Sequence, residues 1–148
     1  MRSKILAGLT AVVAAATIAA PAHAATTATT ATVSAGKCKV RYSDDTGKRF
    51  TYAQCVINVS DLAAGQTVKV NYESNLKTFN PHSEIGPFRG QTGTVGFSNV
   101  DGQGPADLTQ AIQIAFKNQS VAQIKKQLKV TLSSPTKGVV VSNAVATA

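Results

Sequence analysis

Residues 37–59 read KCKVRYSDDTGKRFTYAQCVINV, and this stretch decides the fold that the sequence predicts. On its first arm, three less polar residues alternate with three basic ones, a period of two that is typical of a β-strand with one buried face. The less polar set is Cys38, Val40 and Tyr42, and the basic set is Lys37, Lys39 and Arg41. The turn residues DDTGK that follow favour a hairpin loop, so the pattern predicts two antiparallel strands.

The second arm of this hairpin changes phase, which predicts a bulge. A three-residue turn within residues 44–48 would leave Cys38 opposite Gln54. One bulge near Ala53 and Gln54 would let Cys55 turn inward and meet Cys38. We therefore expect a bulged hairpin that is cross-linked near its open end.

The first 24 residues are typical of a cleavable secretory signal peptide. Arg2 and Lys4 precede an uncharged run over residues 5–20, and the small-x-small sequence AHA occupies residues 22–24. The run covers about 16 residues, fewer than the roughly 20 that a membrane-spanning helix needs. The sequence therefore predicts a secreted, extracellular product without a transmembrane segment, and the alanine-rich signal is typical of bacteria.

The mature chain has the length and charge of one small basic domain. Removal of residues 1–24 leaves 124 of the 148 residues, with 13 basic and 7 acidic side chains and a net charge of +6. That length suits a single core. Residues 25–35 are rich in alanine and threonine and nearly without large apolar groups, which predicts a flexible leader. The folded, β-rich domain is then expected to cover residues 36–148.

The rest of the chain predicts mainly β structure. Residues 67–72 and 92–98 alternate as strands, whereas residues 106–117 fit both a helical face and a strand, with helix favoured. A capping box over residues 120–123 predicts the start of a short helix. The predicted fold is a small antiparallel β-sandwich, and the alternative is an α+β fold with one or two short helices between residues 105 and 128.

Residues 58–72, NVSDLAAGQTVKVNY, resemble the strand–loop–strand sequences of immunoglobulin-like and fibronectin-type sandwiches. The resemblance covers about 15 residues and implies an immunoglobulin-like architecture, with no implication for function. The chain departs from antibody domains in two respects. It has no tryptophan, and its two mature cysteines are too close in sequence to be their inter-sheet pair.

The two cysteines of the mature chain predict a disulfide. Cys38 and Cys55 are an even pair in a protein expected to leave the cytoplasm, where thiols oxidise. Two thiols and the single mature histidine, His82, do not readily supply the ligands of a metal site. The sequence therefore predicts a Cys38–Cys55 bond, and it predicts no metal and no other cofactor.

Two regions are candidate binding sites. The first is the basic row of the first strand, and the second is the loop over residues 75–91. The candidate residues are Lys37, Lys39 and Arg41 in the row, and Phe79, His82, Glu84, Phe88 and Arg89 in the loop. The alternative for the row, which is favoured, is a solvated face that discourages edge pairing. The alternative for the loop is that its rings cap the core, and this choice stays open.

The predicted function is non-catalytic recognition of an anionic cell-wall polymer or of another extracellular protein. A positive chain attracts anionic partners, although the same charge also maintains solubility. The sequence contains no G-x-S-x-G elbow, no phosphate-binding glycine loop and no aromatic platform for nucleic acid, so we assign no catalytic residue and disfavour nucleic acid. Two alternatives remain, an inhibitor of an extracellular protease acting through residues 75–91 and a small hydrolase using His82 and Glu84.

Overall fold

The computed structural model describes residues 30–43, 49–81 and 87–148. Within these ranges the chain forms eight β-strands and one helix. The strands are β1 (Thr32–Ser43), β2 (Phe50–Leu62), β3 (Thr67–Ser74), β4 (Thr92–Ser98), β5 (Ala106–Phe116), β6 (Lys129–Ser133), β7 (Val140–Asn143) and β8 (Val145–Thr147), and the helix is α1 (Val121–Gln127). The predicted signal peptide, residues 1–24, lies outside the described residues.

The strands form two four-stranded sheets that pack face to face. Sheet A has the order β5-β2-β1-β7, and sheet B has the order β4-β3-β6-β8. Neighbouring strands are antiparallel, except that β1 and β7 are parallel. The inward side chains of both sheets share one hydrophobic cluster, which includes Ile57 and Val59 of sheet A and Val70 and Val130 of sheet B. The predicted β-sandwich is confirmed.

Seven of the eight described strands follow the order of an immunoglobulin-like sandwich, whereas β7, parallel to β1, adds to the edge of sheet A. Strands β1, β2 and β5 occupy the places of strands A, B and E, and β3, β6 and β8 occupy the places of C, F and G. β4 extends the second sheet beside β3, as strand C′ does in variable-type domains. The disulfide differs from that of antibody domains, because it joins two adjacent strands of one sheet.

The predicted disulfide is present, but the bulge lies on the other strand. Cys38 and Cys55 are direct cross-strand partners with Cα atoms 4.0 Å apart. From this pair to the end of the hairpin the register runs without a shift, so the bulge predicted near Gln54 is wrong. The register shifts on β1 instead, between Ala35 and Cys38. The predicted mismatch of Cys38 with Gln54 came from a turn register that was one residue out, since Cys38 pairs with Cys55 without any extra residue between them and the turn. The bulge on β1 lies beyond the disulfide and is a separate feature.

Glycine fits the bulge because β2 approaches it closely. A Cβ atom added at Gly36 would lie 3.1 Å from Cβ of Val56. The bulge changes which β1 residues face the core, from odd-numbered Val33 to even-numbered Cys38. It therefore lets both halves of a 12-residue strand bury their apolar side chains.

The domain begins earlier than predicted, because β1 starts at Thr32. Composition predicts that residues 32–35 belong to a flexible leader, whereas Val33 is fully buried in the structure. The backbone N–H of Val140 donates to the carbonyl of Ala31 at 3.0 Å, and β1 continues in parallel with β7. The prediction was wrong for these residues because composition does not reveal a partner strand at the far end of the chain.

Residues 106–116 form β5, so the helix favoured over this stretch is wrong. β5 pairs with β2 along almost its whole length, and Phe116 lies opposite Thr51 at one end of the pairing. Ile112 and Ile114 are buried on its inward face. The apolar residues of this stretch fit the period of a helix and that of a strand. The strand forms because the edge of β2 is free to pair with it, and pairing in a sheet outweighs local propensity.

The short helix predicted from the capping box is confirmed. The Ser120 hydroxyl accepts a hydrogen bond from the Gln123 backbone N–H at 3.2 Å, and the Gln123 side-chain oxygen accepts one from the Ser120 N–H at 2.9 Å. Ile124 and Leu128 point inward and are buried, as their spacing predicts. Helix α1 therefore closes the sandwich between β5 and β6.

We predict that loss of the disulfide costs about 3 kcal/mol of the free energy of unfolding. The bond joins residues 17 apart in sequence, and on the chain-entropy model closing a loop of this size restricts the unfolded chain by about that amount. Urea denaturation of residues 25–148, compared between the native chain and the Cys38→Ala/Cys55→Ala variant, measures the difference. Equal midpoints for the two chains would contradict the expectation.

Candidate functional site

The chain connections divide between the two ends of the sandwich. The connections from β1 to β2, from β3 to β4 and from β5 to β6 join strands at the end that contains α1, which we call the helix end. The connections from β2 to β3, from β4 to β5 and from β6 to β7 join strands at the opposite end. Each end of the sandwich is therefore formed by its own set of three connections.

The helix end is basic. Where the structure describes its three connections, they contain six basic residues and no acidic one, namely Arg49, Lys77, Arg89, Lys117, Lys125 and Lys126. Over the full sequence of these connections, seven basic residues stand against three acidic ones, a net charge of +4. An excess of this kind attracts anions to one end of the molecule.

The opposite end contains most of the described acidic residues. Asp61, Asp101 and Asp107 lie there, and the Asp107 carboxylate accepts a hydrogen bond from the backbone N–H of Asp61 at 3.0 Å. The connections at this end contain one basic residue, Lys137. Charge is thus polarised along the long axis of the sandwich.

The predicted basic row is exposed on the outer face of sheet A. Lys37, Lys39 and Arg41 point away from the core along β1, and none has a side-chain hydrogen bond or ion pair within the described residues. The adjacent positions on β2 are polar or aromatic, since Lys39 pairs with Gln54 and Arg41 pairs with Tyr52. The row runs toward the helix end, where β1 finishes. We call these three residues the basic stripe.

Phe79 and Phe88, predicted as binding residues, pack in an aromatic cluster. The Phe50 ring is 5.9 Å from the Phe79 ring and 5.3 Å from the Phe88 ring, both edge to face. Tyr52 completes the cluster, with its ring 5.7 Å from Phe88. Phe50 faces away from the sandwich core yet is only 4% exposed, because these rings cover it. The two phenylalanines therefore act first as packing residues.

Backbone hydrogen bonds attach the same connection to the edge of sheet A. The N–H of Phe79 donates to the carbonyl of Ala115 at 3.0 Å, and the N–H of Arg89 donates to the carbonyl of Gln113 at 2.8 Å. These contacts cover part of the free edge of β5. The described part of residues 75–91 is consequently a docked segment, in agreement with the alternative in which its rings cap hydrophobic surface.

Arg89 is exposed beside Tyr72. The Tyr72 hydroxyl donates to the carbonyl of Gly90 at 3.3 Å. Burial raises the pKa of Tyr72 above its usual value, and the positive charge of Arg89 opposes the rise. The Tyr72 ring also lies across Gly93, where a Cβ atom would collide with it. The remaining predicted loop residues, His82 and Glu84, lie outside the described residues.

Two cavities of about 330 and 350 Å³ lie at the helix end, on either side of Asn118 and Gln119, which line both. We call the two cavities together the end groove. Lys77 and Lys117 also line one cavity, and Tyr42 and Arg49 also line the other. No linear pattern in the sequence joins the residues of this site, because they come from the end of β1 and from three separate connections.

Tyr42 lies at this groove, whereas its alternation with the basic residues predicted an inward position. It is 55% exposed. Tyr42 pairs with Thr51, next to the last described pair of the hairpin, Ser43 with Phe50. Alternation predicts the side of the strand on which a residue lies, whereas its burial also depends on what packs over that position.

The outer face of sheet B has a different character. A shallow cavity of about 460 Å³ lies over β3, β4 and β6 and is lined mainly by hydroxyl and amide side chains, with Glu73 as the acidic residue among them. Asn71 accepts a hydrogen bond from the Thr94 hydroxyl at 2.8 Å. Two exposed lysines, Lys69 and Lys129, also lie on this face, with Glu73 as the acidic residue, whereas the basic stripe has three cations and no acidic residue.

Comparisons with protein-family models, with curated proteins and with solved structures found no match for this chain. Among the residues that the structure describes, no three histidine, cysteine, aspartate or glutamate side chains approach one another as metal ligands would. No helix in the same ranges is long and apolar enough to cross a membrane.

We predict that Phe88→Ala lowers the free energy of unfolding by about 2 kcal/mol, because it removes a ring that covers Phe50 and Tyr52. The neighbouring Arg89→Ala is the control, and it should change stability by less than about 0.5 kcal/mol because its side chain is exposed. Urea denaturation of residues 25–148 compares the variants. An unchanged midpoint for Phe88→Ala would show that the aromatic cluster is not a packing element.

Proposed function

We propose that the protein is a secreted, non-catalytic binding domain for an anionic polymer of the cell envelope. The observations that support this most directly are the row of three exposed cations on the basic stripe and the excess of basic over acidic residues at the helix end. The signal-like N-terminus and the Cys38–Cys55 disulfide support a location outside the cytoplasm.

The arrangement of the cations favours a polymer over a small anion. Alternate residues of a strand are about 6.6 Å apart, so the three cations of the stripe form a row about 13 Å long. A small anion needs donors that converge on one point, whereas a row matches charges that repeat along a chain. Arg49, Lys77 and Lys117 extend the positive surface around the helix end.

Recognition of this kind depends on many weak contacts. One exposed ion pair contributes at most about 1 kcal/mol and is screened by salt. Several such contacts to one polymer act together, because the first contact raises the effective concentration of the rest. The residues named here act through charge alone and need no nucleophile or base.

We predict that binding of residues 25–148 to purified cell envelope falls steeply between about 50 and 500 mM NaCl, since the Debye length shortens severalfold over this range. The variant Lys37→Gln/Lys39→Gln/Arg41→Gln should bind about tenfold more weakly at low salt, which corresponds to about 0.5 kcal/mol for each lost cation. Sedimentation with the envelope fraction measures both effects.

The matched control is Lys69→Gln/Lys137→Gln, which removes positive charge near the opposite end of the sandwich. It should bind within about twofold of the native chain. Binding that does not respond to salt, or an equal loss in the control and the stripe variant, would overturn the proposed function.

A further inference from the structure

The end groove combines three kinds of side chain in one place. Tyr42 contributes an exposed aromatic ring, Asn118 contributes an amide, and Lys77 and Lys117 contribute positive charge. The basic stripe has only the cations and the polar surface beside them. The groove therefore offers more specific chemistry than an electrostatic surface.

The floor of the groove is held in place by the fold. The Thr51 hydroxyl donates to the carbonyl of Gln119 at 2.6 Å, which ties the segment before α1 to β2. The capping box between Ser120 and Gln123 fixes the next turn. A site whose backbone is already ordered loses less entropy when a ligand binds.

Asn118 has the backbone geometry of a specialised position. Its φ is 57°, in the left-handed region that residues other than glycine rarely adopt and that asparagine tolerates best. Its side-chain amide has no hydrogen-bond partner among the described residues. The amide can thus offer both a donor and an acceptor to a ligand in either cavity.

These groups match a sugar ring that bears an anionic substituent. The C–H face of a pyranose is apolar and packs on an exposed aromatic ring, and its adjacent hydroxyls both donate to and accept from an amide. A carboxylate or phosphate on the ring would pair with the surrounding cations. Each cavity lies at the small end of the range of about 300–1,000 Å³ that ligand pockets occupy, as a single ring requires.

We propose that the end groove is a glycan-binding subsite for an acidic polysaccharide, with the Tyr42 ring under a sugar and the Asn118 amide on its hydroxyls. The inference rests on the proposed function, and it names the class of polymer, a glycan with carboxylate or phosphate groups. The basic stripe then binds the next part of the same polysaccharide through the positive charge of the stripe.

The test uses five immobilised probes. Polygalacturonate presents carboxylated sugars, phosphomannan presents phosphorylated sugars, polyphosphate has charge without sugar, dextran has sugar without charge, and polythymidylate represents nucleic acid. The native residues 25–148 should bind at least one of the two acidic glycans more tightly than polyphosphate, because only glycans occupy the groove. Tighter binding to polygalacturonate indicates that the groove prefers carboxylated sugars, and tighter binding to phosphomannan indicates that it prefers phosphorylated sugars.

Two groove variants and one matched control complete the design. Tyr42→Ala removes an exposed ring, and Asn118→Gly removes the amide while keeping a residue that tolerates the left-handed backbone. Each should weaken binding to the acidic glycan about fivefold to tenfold and leave polyphosphate binding within about twofold, the larger loss being about 1.4 kcal/mol. Tyr42→Phe keeps the ring and should bind as the native chain does.

The outcomes separate the two proposals. If the native chain binds polyphosphate in a salt-dependent manner but neither glycan more tightly, the glycan subsite is wrong and the proposed function stands. Unchanged glycan binding by Tyr42→Ala and Asn118→Gly, or tighter binding to polythymidylate than to either glycan, likewise overturns the subsite. A chain that binds none of the polyanions overturns both proposals.

Discussion

The pairing of β1 with β2 through Cys38 and Cys55 is the constraint on which the other strands depend. These strands form the centre of sheet A, with β5 paired to β2 and β7 paired to β1. The disulfide lies on the inward face, where Cys38 is 5% and Cys55 is 1% exposed. Because side chains alternate between the faces of a strand, a register fixed at one pair decides which residues of both strands meet the core.

The outward residues of the same two strands organise the candidate sites. The basic stripe lies on β1, and Phe50 and Tyr52 lie on β2 at the helix end. The connection after β3 crosses from sheet B to cover those rings and pairs with β5. This crossing brings Lys77 to the same cavity as Lys117, so the end groove is a product of packing between segments of the two sheets.

The sequence predicts features that depend on neighbouring residues, and it fails for features that depend on which strand pairs with which. The alternation in β1, the disulfide and the capping box at Ser120 each depend on residues a few positions apart or on a simple count. The helix favoured over residues 106–117 failed because the same residues satisfy two periods, and the open edge of β2 decides between them. Composition predicted that the leader extends to residue 35, whereas pairing with β2 and β7 draws residues 32–35 into sheet A.

The sequence by itself determined that the chain is β-rich, that Cys38 and Cys55 pair, that a short helix starts after Ser120 and that three cations follow one strand. Only the tertiary structure decided that Gly36 marks the bulge, that the last strands divide between the sheets, and that Tyr42 and Asn118 meet in one groove. The physical reason is distance along the chain. Periodicity and capping act between neighbours, whereas register, edge pairing and the groove join residues that lie tens of positions apart and meet only when both sheets pack.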